Sequence, residues 1–303
     1  MSAVRVYELA VPSRHSAYAV TSQGLLRRAR GGWLPADAGL PTLDLSALAV
    51  DPQRPAAIHV ATETAIFKTT DRGKSWRRLQ APPISKTAEI SALLVDPQDA
   101  NTLYAGMTEF GDYEYGGDLG PPTAIFKSTD GGATWRALQT DGTLLPEISM
   151  LTIDPLDPQT VYAATARSVF KSSDGGATWR SMVADAGANS LALDPSEPKT
   201  MYAGTDGGVL KSTDRGITWR DLDAGLATGS VNALAVNPHA PEMVYAGGDD
   251  GLFITVDGGE TWHRHQGALG RRGIEALAFD PTGHTLYVGG IRGGMVEVSL
   301  DGL

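Results

Sequence analysis

The strongest constraint on this 303-residue chain is an octapeptide, Ser/Thr-x-Asp-x-Gly-x-Ser/Thr-Trp, that returns five times at near-even spacing. Its copies are Thr69–Trp76, Ser128–Trp135, Ser172–Trp179, Ser212–Trp219 and Thr255–Trp262. Their aspartates, Asp71, Asp130, Asp174, Asp214 and Asp257, stand 59, 44, 40 and 43 residues apart. A fixed period of this size marks a propeller or solenoid built from one supersecondary unit. The motif itself is a turn. Its carboxylate accepts backbone N–H groups a few residues on, and its glycine supplies a positive φ that a side chain would penalise. The closing tryptophans, Trp76, Trp135, Trp179, Trp219 and Trp262, start the next strand and cover the turn.

A wider unit surrounds each copy. An apolar strand A ends in Asp-Pro or Asn-Pro, at Asp51, Asp96, Asp154, Asp194, Asn237 and Asp280. Proline stops it because it cannot donate to a ladder. Strand B follows, centred on Tyr18, Tyr104, Tyr162, Tyr202, Tyr245 and Tyr287, with His59 in that slot once. Strand C leads into the octapeptide and strand D out of it. Four short strands per unit, each unit too small to bury a core alone, predict blades of an all-β propeller. The tyrosine slots count seven blades, at residues 1–40, 43–84, 88–144, 146–185, 188–226, 230–269 and 273–303 of one domain. The first blade has lost its octapeptide but keeps Trp33. The last stops at Ser299-Leu300-Asp301-Gly302, the start of another copy, so it is expected to have three strands. The ring is then expected to close without a terminal latch, or the chain to be part of a longer product. In either case blade seven offers an unpaired outer edge.

Composition narrows the function. With no cysteine there are no disulfides, thiolate zinc sites or thiol nucleophiles. A net charge of −10 argues against general binding to nucleic acid or anionic membranes. The basic runs at Arg27, Arg28 and Arg30 and at Arg77 and Arg78 read as solvated outer strands. There is no long apolar run and no charged start followed by an apolar core, which leads to the expectation of a cytoplasmic protein without membrane insertion. No cofactor is expected, and no twelve-residue calcium loop or other metal site is legible.

The octapeptide resembles the Asp-box, or bacterial neuraminidase repeat, of sialidases, xyloglucan-degrading glycosidases, sortilin-type receptors and photosystem assembly factors. That resemblance implies a propeller and spans both enzymes and binding proteins. For a sialidase it would imply three arginines on a substrate carboxylate, a Tyr–Glu nucleophile pair and an Asp acid/base. The residue types are present as Arg167, Arg271 and Arg292 with Tyr113, Tyr115, Glu109, Glu114 and Asp112, but the N-terminal Arg-Ile-Pro signature is not. The xyloglucan-degrading relatives place a cleft between two propellers. The photosystem assembly factors are similar to this chain in size and bind protein.

Strand order puts the A-to-B turns and the Asp-boxes on one face and the B-to-C and D-to-A loops on the other. The repeats differ on the second face, where loops on a rigid frame carry function. Blade three alone inserts a long segment there, 107–122, acidic and aromatic. The expected binding residues are Glu109, Phe110, Asp112, Tyr113, Glu114, Tyr115 and Asp118, with Arg167 and Arg292 from neighbouring loops. Asp206, Asp249 and Asp250, in Gly-flanked turns, are expected to bond their own backbone. Glu89 and Glu147 read as solvated strand ends. The sequence thus favours a non-catalytic scaffold or assembly factor with a protein partner. The alternative is a glycoside hydrolase or a lectin-like glycan binder.

Overall fold

A computed structural model describes residues 4–14, 16–84, 88–109, 125–138, 147–182, 187–226, 229–266, 268–291 and 294–300. Seven antiparallel sheets follow one another along the chain, six of four strands and the last of three, each in simple sequential order. Among the described residues the only helical piece is a 3₁₀ turn at Ala268–Arg271, and no helix is long and apolar enough to cross a membrane. Strand A of each blade packs against strand A of the next, so these strands form the inner wall. The ring closes where strand A of blade seven (Ile274–Phe279) meets strand A of blade one (Val6–Ser13).

Closure needs no shared sheet. Gly294 N–H donates to Val4 O at 3.1 Å, and Trp33 stands edge-on to Tyr287 with centroids 6.1 Å apart. Arg28 forms a two-point ion pair with Glu297 on the outer strand of blade seven. One member of the basic run read as solvated therefore ties the last blade to the first. Arg77 and Arg78 are exposed on a two-residue strand D, as expected.

Adjacent blades interlock sterically. The residue two beyond the strand B tyrosine is Gly106, Gly204, Gly247 or Gly289 in four blades. A Cβ there would lie 2.6, 2.7, 2.4 or 2.5 Å from a branched carbon of Ile148, Val231, Ile274 or Val6 of the following blade. A β-branched knob thus fills each glycine notch. The strand B tyrosines add a second tie, since Tyr104 and Tyr202 donate to Gly175 O and Gly258 O in the next blade's Asp-box at 3.1 and 3.2 Å.

Each Asp-box is held from two sides. In blade four, Asp174 Oδ1 accepts from Thr178 N–H at 2.8 Å and from Ser172 Oγ at 2.7 Å, while Oδ2 accepts from Thr178 Oγ1 at 2.7 Å. Asp174 and Thr178 are exposed, whereas Ser172 is buried and accepts from the buried Gly176 N–H at 2.8 Å. Two consecutive residues are left-handed, Gly175 at φ 67° and Gly176 at φ 93°, where the sequence suggested one. The buried anchor is the first hydroxyl, not the carboxylate. Ser172→Ala should therefore cost about 1–3 kcal/mol by orphaning a buried donor, and Asp174→Ala about 1 kcal/mol because water reaches Thr178. Urea midpoints check the order; a costlier Asp174→Ala would refute it.

Candidate functional site

The box residues Arg72, Gly131, Gly175 and Arg215 donate backbone N–H groups to carbonyls in the A-to-B turns of their own blades, and Gly258 donates to Glu242 O at the start of strand B. Boxes and those turns therefore share one face. The other face carries the mouth of a central cavity of about 260 Å³, walled by the first residues of all seven A strands.

One register position dominates that wall. In five blades the A–B ladder skips a residue, and the skipped residue is Tyr7, Ser91, Ser149, Asn232 or Glu275. Ser46 and Asn189 hold the matching place in the other two. A bulge re-aims its side chain, and all seven of these residues line the cavity. The ring is polar. Ser91 and Ser149 donate across blade junctions to Ile148 O and Ala188 O at 2.6 and 3.0 Å. Asn189 donates to Asp206 at 2.9 Å and Asn232 to Asp249 at 3.2 Å. These aspartates do not bond their own backbone as expected; Thr165 and Thr205 close such turns through their hydroxyls instead.

The next register position holds Ala47, Ala92, Ala233 and Ala276 in four blades but Glu8 in blade one. Glu8 Oε2 accepts from Leu48 N–H of blade two at 2.7 Å. Protein encloses this carboxyl except toward the cavity, and that burial pushes it up to about 8. Beside it Arg5 pairs with Glu275 at 3.0 Å and stands 5.4 Å from the centre of the exposed Tyr7 ring. Glu89 is raised by partial burial and by the neighbouring charges of Glu63 and Asp44, so it is more than a solvated strand end. The hydroxyls of Ser46 and Ser190, both residues of the cavity wall, are buried without a partner among the described residues.

Most residues expected from the sequence to bind lie elsewhere or outside the described residues. Phe110, Asp112, Tyr113, Glu114, Tyr115, Asp118 and Arg292 fall outside them. Glu109 is placed through its backbone, which pairs with Ala88 at the mouth end of blade three. Arg167 is exposed in the B-to-C turn of blade four, away from the cavity wall. The sequence reading missed Tyr7, Glu8 and Glu275. A signal existed: in all seven blades the wall residue stands two places before a leucine, and in six of them, all but Tyr7, it is Ser, Asn or Glu. Among the described residues no group of three or more His, Asp or Glu is arranged to hold a metal.

The profile of the BNR/Asp-box repeat matches residues 253–264, the last of the five boxes. No curated protein sequence matches the chain. Among solved structures, a GH74 xyloglucanase from Xanthomonas campestris superposes with a TM-score of 0.76 at 19% identity, covering 98% of this chain and 52% of that one. This chain thus spans about half the length of that enzyme. YCF48 bound to D1 peptide gives 0.72 at 17%, covering 99% and 95%. YCF48 from Cyanidioschyzon merolae gives 0.71 at 16%, covering 100% and 97%. At such identities the likeness establishes the propeller fold alone, and the Asp-box repeat rests on the profile match.

Proposed function

We propose that this propeller is a non-catalytic binding module that holds a protein partner on the face opposite the Asp-boxes. The observation that carries the reading is the bulged polar ring. Seven blades each turn one side chain into one mouth, polar in six of them, and five do so through a bulge. A scaffold with no ligand has no use for five coincident bulges, and bulges concentrate beside functional sites. The match in length and fold to YCF48 bound to D1 peptide supports a peptide-like ligand.

The insertion follows Glu109, the last described residue of strand B in blade three. We assign it the recognition role that its composition suggests, with Tyr113 and Tyr115 as anchors, since aromatic side chains carry much of the energy in such contacts. Panning a random peptide library on the pure protein tests the reading. Selected peptides should lose about tenfold in affinity, or about 1.4 kcal/mol, on Tyr113→Ala or on deletion of 109–120, with little change in thermal stability. Unchanged affinity in both variants would move the site away from the insertion.

The GH74 likeness keeps a carbohydrate reading in play. A glycosidase needs two carboxylates facing each other across a bound sugar. Turnover of xyloglucan or of a fluorogenic sialoside by the pure protein would replace the binding reading with that one.

A further inference from the structure

We propose that the central cavity is a socket for one basic side chain, lysine or arginine, of the bound partner, with Glu8 as its counter-ion. The inference rests on the binding face assigned above and names what that face selects.

Size comes first. Small-molecule pockets run roughly 300–1,000 Å³. At about 260 Å³ this cavity falls short of that class and suits a single extended side chain. Its chemistry is asymmetric. Four of the seven blades place alanine where blade one places Glu8, and the other two place Met150 and Ser190, so Glu8 is the single acid at this register. Leu48 N–H fixes one carboxyl oxygen at 2.7 Å, which leaves the other for a ligand. Across the ring, Ser190 belongs to the same wall, with its hydroxyl buried against Gly204 and without a partner among the described residues.

The mouth already accommodates a cation of this chain. Arg5 lies against the Tyr7 ring and pairs with Glu275, so one guanidinium sits beside an aromatic face and a carboxylate at the entrance. Glu89, Glu63 and Asp44 add negative charge on the same face, and the whole chain carries −10. Such a field draws in cations and disfavours acidic peptides.

Occupancy has a proton signature. Burial keeps Glu8 protonated near neutral pH when the socket is empty. An entering ammonium or guanidinium makes the carboxylate the favoured form, so the carboxyl proton leaves to solvent as the ion pair forms. No bond to carbon changes. Affinity should therefore rise with pH up to about 8 and level off above it. Glu275 also lines this space, paired with Arg5, and their charges set the baseline on which Glu8 titrates.

The test uses terminally blocked, glycine-flanked peptides with a central Lys, Gln or Glu, with n-butylamine as a free amine. Binding is followed through the carboxyl carbon-13 signal of Glu8 in labelled protein. The Lys peptide should move that signal to its ionised position at pH 7, with saturation. The Gln and Glu peptides should not. Glu8→Gln should weaken the Lys peptide by about tenfold or more while the variant melts no lower than the native chain. Equal binding of Gln and Lys peptides, or a Glu8 signal unmoved by the Lys peptide, overturns the socket. Butylamine binding as well as the Lys peptide overturns the assignment to a partner's side chain. A library-selected peptide that binds the native chain and Glu8→Gln equally overturns the socket yet leaves the binding face standing.

Discussion

At pH 4, His59→Tyr should make this propeller more stable than the native chain by about 3 kcal/mol, the acid penalty of one buried imidazole. His59 is 1% exposed and neither ring nitrogen has a partner among the described residues. Burial, helped by the neighbouring charge of Lys68, pushes it down to about 3. Arg54 and Arg77 act in the same direction and Asp51 against them. Because its folded value lies below the usual 6.5, nothing is lost above pH 6.5. Below it the unfolded chain takes a proton that the folded chain refuses, at about 1.4 kcal/mol per pH unit until about pH 3.

Glu8 works in the opposite sense. Its folded value is raised from 4.5 to about 8, so stability is full below pH 4.5 and drains as pH climbs toward 8. The native chain should therefore be most stable between about pH 4.5 and 6.5. Aspartates such as Asp130 and Asp214, held at about 2 by the hydroxyls of Thr134 and Thr218, add a further loss only below their usual 3.8. Tyrosine at 59 should also restore the inter-blade bond, because Gly131 occupies the place of Gly175 and Gly258 in the next box. Urea midpoints from pH 3.5 to 9 for the native chain, His59→Tyr and Glu8→Gln decide it. An acid limb that survives His59→Tyr would remove His59 as its cause.

Gly247→Val should cost about 3 kcal/mol, at the upper end of what overpacking does. A Cβ at 247 would stand 2.4 Å from Ile274 Cγ2 and 2.7 Å from Ile274 Cβ. The second of these is a branch point that cannot swing away, so blades six and seven must separate. Backbone strain is not the cause, since Gly247 is absent from the left-handed glycines. Gly289→Val strikes Val6 in the same way at the seam where the ring closes, and should cost a similar amount. Gly31→Ala, with open space around it, is the control and should change little. Denaturant unfolding of the three variants gives the comparison; a tolerated valine at 247 would show that the blades are not wedged together.

The local parts of this protein were readable in its sequence. Asp174, Gly176 and Trp179 specify a turn through contacts within a few residues, and a run such as Leu191 to Pro195 specifies a strand and its end. Repetition then forced the propeller, because no single unit buries its own core. Seven blades, a three-stranded last blade and the division into two faces all followed from spacing. The mouth was another matter. In the sequence alone, Glu8 is one charge near the start of the chain and Glu275 one acid in an apolar strand. Ring closure brings Arg5 to Glu275, and the packing of consecutive blades brings Glu8 to Leu48, contacts spanning 270 and 40 residues. The bulges that aim these side chains are equally invisible locally, since each depends on the register between two strands. His59 was visible as the one slot without tyrosine, but its cost came from the next blade, which seals the ring without giving it a partner. Short-range turns and strand patterns are written in consecutive residues; a channel made by seven separate strands exists only once the last blade has met the first.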